Sequence, residues 1–274
     1  MLLLGSSGTG SHGDIAKAVD FDGTNDYLSR ASDLTGNADG KTFTFSAWVW
    51  PNAVGGTYSI YTNWQYGCRF RLDTSNRLNM FAYDSGNTLR LQLLSSVALP
   101  LNTWSHILVS IDMANTSNRA VYINDVADSS VTWTTYVNAD INFTNTLHQI
   151  GIESAGSQFL GRLAHVFLDY TYRDLSNVTN RRLFITSDRK PAQGQAALNP
   201  ILYLPMDDPS TAHVNQGTGG NFTLNGTIAR SGRGPSQFNA PYSDLDGSAD
   251  YLSRGTALTG VSDGAQITFQ AVIN

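Results

Sequence analysis

The chain has 274 residues, a formal net charge of −5, 14% charged residues, 11% aromatics and a single cysteine. It contains no basic run, which argues against a phosphate backbone as partner. One cysteine rules out an intrachain disulfide, and no apolar run approaches the ~20 residues of a membrane-spanning helix. Polarity comes instead from Ser, Thr, Asn and Gly, which suit exposed strands and turns rather than long surface helices. Glu153 is the only glutamate, so aspartate supplies 21 (22 − 1) of the 22 acidic residues.

Residues 1–16 read as a flexible N-terminal arm. Its three leucines, Leu2 to Leu4, are too few for a signal-peptide core, so the expectation is folding in a cytosol without a self-encoded export signal. Short strands follow at 18–21 and 26–29, joined by a turn at Asp22-Gly23-Thr24-Asn25. Residues 42–50 alternate Phe43, Phe45, Ala47 and Val49 against Thr44, Ser46, Trp48 and Trp50, which predicts a strand with one core face, ended by Pro51. Further strands are predicted at 57–64, 67–73, 77–84, 88–94, 104–111, 119–124, 147–152 and 159–170. Near-even spacing of short strands is the pattern of a sandwich or barrel. One short helix is predicted near 176–185 with Ser176 as N-cap. Arg181 and Arg182 on it read as surface or ion-pair donors. Strand-like runs at 201–206 and 221–229 precede a Gly- and Pro-containing linker.

The chain repeats itself. Residues 20–50 align without gaps on 244–274, with 16 identities in 31 positions. The domains expected are therefore one complete unit over 17–235, whose C-terminal extension is 173–235, a linker at 236–243, and the start of a second, incomplete copy at 244–274. Two or three strands cannot bury their own apolar face. The second copy therefore begins a further domain, packs on the first, or pairs with a neighbouring subunit.

Several runs carry a family resemblance. Phe21-Asp22-Gly23-Thr24-Asn25-Asp26-Tyr27-Leu28, the strand from Phe43 to Val49, Trp104-Ser105-His106, Ala120-Val121-Tyr122-Ile123 and Phe159-Leu160-Gly161-Arg162 resemble, in order, the strands of laminin-G-like, concanavalin A-like domains. The resemblance implies an all-β fold, a two-sheet antiparallel jelly-roll sandwich. The stretches 180–186, 200–204 and 215–224 are similar to the extension such domains carry in tailed-phage virion proteins. That implies a lectin-like tail, fibre or capsid-surface protein, assembled in the bacterial host cytoplasm. Its partners would be other virion proteins, copies of itself, or cell-surface and particulate glycans, with no nucleic acid and no membrane. The alternatives are a structural decoration protein that reads no sugar, and a secreted, extracellular bacterial module with calcium-dependent glycan binding.

Sugar sites on this fold use exposed aromatics, and the residues that fit are Tyr61, Trp64 and Tyr66 in one stretch and Trp133 and Tyr136 in another. Aromatics on half-buried strands serve equally as core or subunit interface. Related folds hold calcium through hard oxygen ligands, and Asp22, Asn25 and Asp26 share a turn that offers them. The same residue types also make Asx turns with their own backbone. No other cofactor is implied. Polysaccharide hydrolysis needs two carboxyls across the scissile bond, and the lone Glu153 lacks a glutamate partner. Asp207 and Asp208 are adjacent and point apart. The expectation is a protein that is not an enzyme. His106 and His165 fall in predicted strands and read as structural, and Cys68 as a small buried hydrophobe.

Overall fold

The computed structural model describes residues 18–63, 67–153, 157–231 and 234–235. The expectations for the N-terminal arm, the linker at 236–243 and the second copy at 244–274 lie outside these residues. In chain order the strands are β1 (Ala18–Asp22), β2 (Tyr27–Arg30), β3 (Thr42–Pro51), β4 (Tyr58–Thr62), β5 (Cys68–Leu72) and β6 (Arg77–Tyr83). There follow β7 (Leu89–Ala98), β8 (Ser105–Asp112), β9 (Arg119–Ile123), β10 (Val126–Ala127) and β11 (Thr132–Tyr136). The last are β12 (His148–Ile150), β13 (Leu160–Asp169), β14 (Leu202–Leu204), β15 (Thr223–Asn225) and β16 (Ala229–Ser231).

They form two antiparallel sheets of eight strands each. The first runs β10-β9-β8-β3-β13-β1-β16, with β14 also on β13, and the second runs β11-β7-β6-β5-β4-β12-β2-β15. This is the all-β sandwich expected from the strand spacing. Alternation on β3 sends Phe43, Phe45, Ala47 and Val49 inward, all buried. From the second sheet, Phe70 of β5 stacks on Phe45 with ring centroids 3.7 Å apart and meets Phe43 edge-on at 5.9 Å. Leu78, Met80, Leu91 and Leu93 continue the same layer.

The outward face of β3 was expected to meet water. Instead Thr44, Ser46 and Trp48 are buried as well. The extension that follows β13 covers them. Its Ile185 packs with Trp48, Trp104 and Ala164, while Leu175 and Phe184 pack on Leu108 and Phe167. The molecule is thus a sandwich with one outer face sealed by an apolar strap. Asp125, in the β9–β10 turn, ties down the strap through Arg181 at 2.6 Å and Arg182 at 2.8 Å. The helix in the strap, α1, is shorter than predicted, Val178–Arg181, and its N-cap is Asn177, which accepts from the Thr179 N–H. Ser176 does not cap because its N–H and hydroxyl both donate to Asp174.

The sequence pattern did not show β10, β11 or β16. Each has five residues or fewer and sits at or beside a sheet edge, where little alternation is demanded.

Candidate functional site

The predicted site residues do not come together. Tyr61 was expected on a sugar-binding surface and is instead a core side chain, 1% exposed. A β-bulge between Ser59 and Tyr61 is the cause, because it turns Ile60 and Tyr61 both inward. The Tyr61 hydroxyl meets His148 Nδ1 at 3.0 Å, and burial pushes its pKa well up. His148 Nε2 faces two acceptors, Asp33 Oδ1 and the Asn145 carbonyl, so it carries the proton and Nδ1 accepts from Tyr61. Trp64 and Tyr66 lie outside the described residues.

Trp133 and Tyr136 sit on the edge strand β11, opposite the inward residues Leu93 and Leu91. Both rings pack on the core, and the Arg119 guanidinium lies over both, 4.5 and 4.7 Å from the centroids. The Tyr136 hydroxyl donates to the Asp112 carbonyl at 2.7 Å. The trio links β9 of the first sheet to the edge strand β11 of the second.

Asp22, Asn25 and Asp26 do share a turn, but backbone donors occupy its carboxylates. Asp22 Oδ1 accepts from the N–H of Thr24 at 2.7 Å, Asn25 at 3.1 Å and Asp26 at 3.4 Å. These amides hold the Asp22 carboxyl below its ordinary pKa. Asp26 is buried, takes the Thr227 N–H at 2.8 Å on Oδ1 and the Asp22 N–H on Oδ2. Carboxylate oxygens aimed at N–H groups do not fit a cation, which repels those same dipoles. Among the described residues, no three His, Cys, Asp or Glu side chains gather for a metal.

The strand histidines are structural. His106 Nε2 lies 2.8 Å from Ser46 Oγ, and His165 Nδ1 lies 2.9 Å from the Tyr203 hydroxyl, which in turn donates to Gln195. Both rings lie beneath the strap. Burial lowers the pKa of His106 to about 3 and that of His165 to about 4. Cys68 is fully buried, and burial raises its thiol pKa.

The outer face of the second sheet is chemically different from everything else in the fold. Arg69 and Arg71 alternate with buried Cys68, Phe70 and Leu72, so both guanidiniums leave β5 on that face. The hairpin register places Phe81 opposite Arg69 and Asn79 opposite Arg71 on β6, with Tyr83 alongside Phe81 on the same face. Both guanidiniums stack on Phe81, at 5.1 and 4.6 Å, and Arg69 also covers Tyr83 at 5.3 Å. Glu153 ion-pairs with Arg69 and meets Arg71 at 3.4 Å, and Arg69 donates to the Tyr83 hydroxyl. On the other side, Ser59 pairs with Arg71, and Gln149 pairs with Thr62, the cross-strand partner of Arg69. Several polar atoms here are buried and have no hydrogen-bond partner among the described residues: Ser59 Oγ, Asn79 Oδ1, Gln149 Oε1 and the Nε of Arg69 and of Arg71. Each such atom left unpaired costs about 1–3 kcal/mol. A cluster of them on one face is what a polar ligand would relieve.

The family model described as the concanavalin A-like lectin/glucanases superfamily matches residues 22–168, over half of the chain. The chain belongs to this superfamily. The match covers β2 to β12 whole and nearly all of β13, so it includes the whole Arg69–Glu153 cluster. Solved structures share the fold at low sequence identity. A candidate carbohydrate-binding protein from Bacteroides ovatus is 16% identical with a TM-score of 0.56, over 80% of this chain and 60% of that one. The chain thus spans about three fifths of the length of the Bacteroides protein. A heptameric SAP-like pentraxin from Limulus polyphemus is 12% identical with a TM-score of 0.51, over 79% of this chain and 95% of that one. Comparison with curated proteins finds no match.

Arg69, Arg71, Asn79, Phe81 and Gln149 were not among the sequence candidates, and Glu153 stood out there only as a lone acid. A signal for four of them was present. Two predicted strands, joined by the short turn around Asp73 and Asn76, carry charge at 69 and 71 and polar or aromatic residues at 79 and 81. A tight hairpin puts these on one face. Gln149 and Glu153 arrive from far along the chain and left no such mark.

Proposed function

We propose that this chain is a non-catalytic, lectin-like module that binds a glycan on the outer face of its second sheet. The observation that carries the reading is the row of unpartnered polar atoms, Ser59, Arg71, Asn79 and Gln149, beside the Arg-covered ring of Phe81. Sugar hydroxyls both donate and accept, so they suit a row that mixes N–H donors with amide and hydroxyl oxygens. Stacking on Phe81 holds the guanidiniums in place, which reduces the ordering cost of binding. The Bacteroides structure, described as a candidate carbohydrate-binding protein, supports the class of ligand.

The non-catalytic part of the reading rests on Glu153. Its two oxygens are engaged by Arg69 and Arg71. It is the acid of this cluster, and glycoside hydrolysis by the usual route needs a second carboxyl across the bond.

The setting in this proposal is a tailed-phage virion, with other virion proteins or further copies of the chain as partners. The similarity of 180–186, 200–204 and 215–224 to virion-protein extensions supports it. In the fold, the first of these stretches helps build the strap over the first sheet.

A glycan array run with and without a chelator tests the reading. Binding is expected, insensitive to chelator because the Asp22–Asp26 turn is already satisfied by N–H groups. Phe81→Ala and Asn79→Ala are each expected to weaken the hit at least tenfold, which corresponds to about 1.4 kcal/mol. No binding under any condition would overturn the lectin reading, and released reducing sugar would overturn its non-catalytic part.

A further inference from the structure

Within the row, Arg71 differs from its neighbour Arg69. Arg69 is held by the fold through both amino groups, one on Glu153 and the other on the Tyr83 hydroxyl, and through its plane on two rings, with its Nε alone left without a partner among the described residues. Arg71 has the same five N–H donors and uses them sparingly. Its contact with Glu153, at 3.4 Å, is beyond the normal hydrogen-bond range, and its Nε has no partner. Its Nη2 makes no hydrogen bond to the described residues, and its side chain keeps 24% of its surface exposed. The guanidinium nevertheless stays in place, 4.6 Å over Phe81. Directly across the strands on either side, Ser59 Oγ and Asn79 Oδ1 are unpartnered too, and Ser59 is fully buried.

We infer that the glycan is an acidic one, and that Arg71, flanked by Ser59 and Asn79, receives its carboxylate or sulfate. This rests on the glycan-binding reading above and narrows its ligand class. A guanidinium held flat and under-used is a two-pronged donor, and an anion that offers two acceptor oxygens, as carboxylate and sulfate do, fits it far better than a neutral hydroxyl does. One carboxylate on two rigid guanidiniums leaves the cluster with a surplus positive charge, and that surplus sits at Arg71. The chain as a whole is negative, at −5. A diffuse field would therefore repel an acidic sugar, and the preference must come from this one contact. Lysine should not replace it, because an ammonium is a point charge without the fork.

The test is calorimetric titration of the intact chain with uronate-, sialate- and sulfate-bearing oligosaccharides, each paired with its neutral parent. At least one acidic sugar should bind tenfold or more tighter than its parent. Arg71→Ala and Arg71→Lys should both abolish that preference, with affinity for the acidic sugar falling tenfold or more further than affinity for its neutral parent, while the protein stays folded by its thermal melt. Arg71→Lys keeps the test valid if the alanine variant folds poorly. If neutral parents bind as tightly as every acidic sugar, or if the preference survives both variants, the acidic-ligand inference fails and the glycan-binding reading stands. If no oligosaccharide binds, both fail.

Discussion

Replacing Phe184 by alanine is expected to cost about 3–5 kcal/mol of unfolding free energy, the range for a large aromatic removed from a packed site. Phe184 is 1% exposed and meets Phe167 of β13 edge-on, with centroids 5.0 Å apart. The Arg173 guanidinium lies 5.7 Å from its ring and is fixed by Asp169. The residue is the main apolar link between strap and sheet, with Ile185 over Trp48 as the other. Loosening the strap would bring Trp48, Trp104, Leu108 and Phe167 into contact with water as one apolar patch. Urea unfolding followed by tryptophan fluorescence measures this directly, since Trp48 and Trp104 lie beneath the strap. A loss under about 1 kcal/mol would mean that the strap contributes little and that the sheet is stable without it.

Acidification gives the second large effect. His106 and His165 are neutral when folded, with pKa values lowered to about 3 and about 4 by burial beneath the strap. In the unfolded chain both titrate near 6.5. Between those values the unfolded state binds more protons, so stability falls as pH drops from about 6.5 toward 4. His165 alone is expected to contribute roughly 3 kcal/mol to that fall, at about 1.4 kcal/mol per pKa unit. The carboxylates act in the next window down. Asp33, Asp125 and Asp128 have pKa values lowered by hydrogen bonds and, for Asp125, by two arginines, against the opposing effect of burial. Their stabilisation is present above pH 3.8 and is lost as pH falls through their folded values. The expected profile is a decline that starts at about 6.5 and steepens below about 4. In His165→Gln the upper part of the slope should flatten. A wild-type profile flat down to pH 4.5 would show that the imidazoles are not held neutral.

Much of this fold was legible in residue order. The 43-45-47-49 alternation placed the core face of β3, and near-even spacing gave the sandwich. Asp22, Asp26 and Arg30 recur at 246, 250 and 254, and in the first copy each holds backbone: the turn at 24–26, the Thr227 N–H, and the Asn221 carbonyl. In the first copy these three side chains are engaged by the fold itself.

Long-range burial was not legible. The polar face of β3 reads as solvent-facing because its cover, residues 173–200, arrives after the last long strand. Tyr61 reads as outward because strict alternation puts it there, and one bulged residue reverses it. The Arg71 row was hidden for a related reason. Arginines on a strand read as ordinary solvated charge, and only three-dimensional neighbours show that their partners are too few. Glu153 stood out as the lone glutamate, and its role as a clamp on two arginines appears only in the structure.

The central claim is where the glycan sits, and amide chemical-shift mapping on the intact chain tests it most directly. Titrating in an array-selected oligosaccharide should move the amides of Ser59, Arg69, Arg71, Asn79, Phe81 and Gln149 together, with one saturating curve. Shifts confined to Trp133, Tyr136 and Arg119, or to the Asp22–Asp26 turn, would contradict the assignment and move the site to the sandwich edge or the turn.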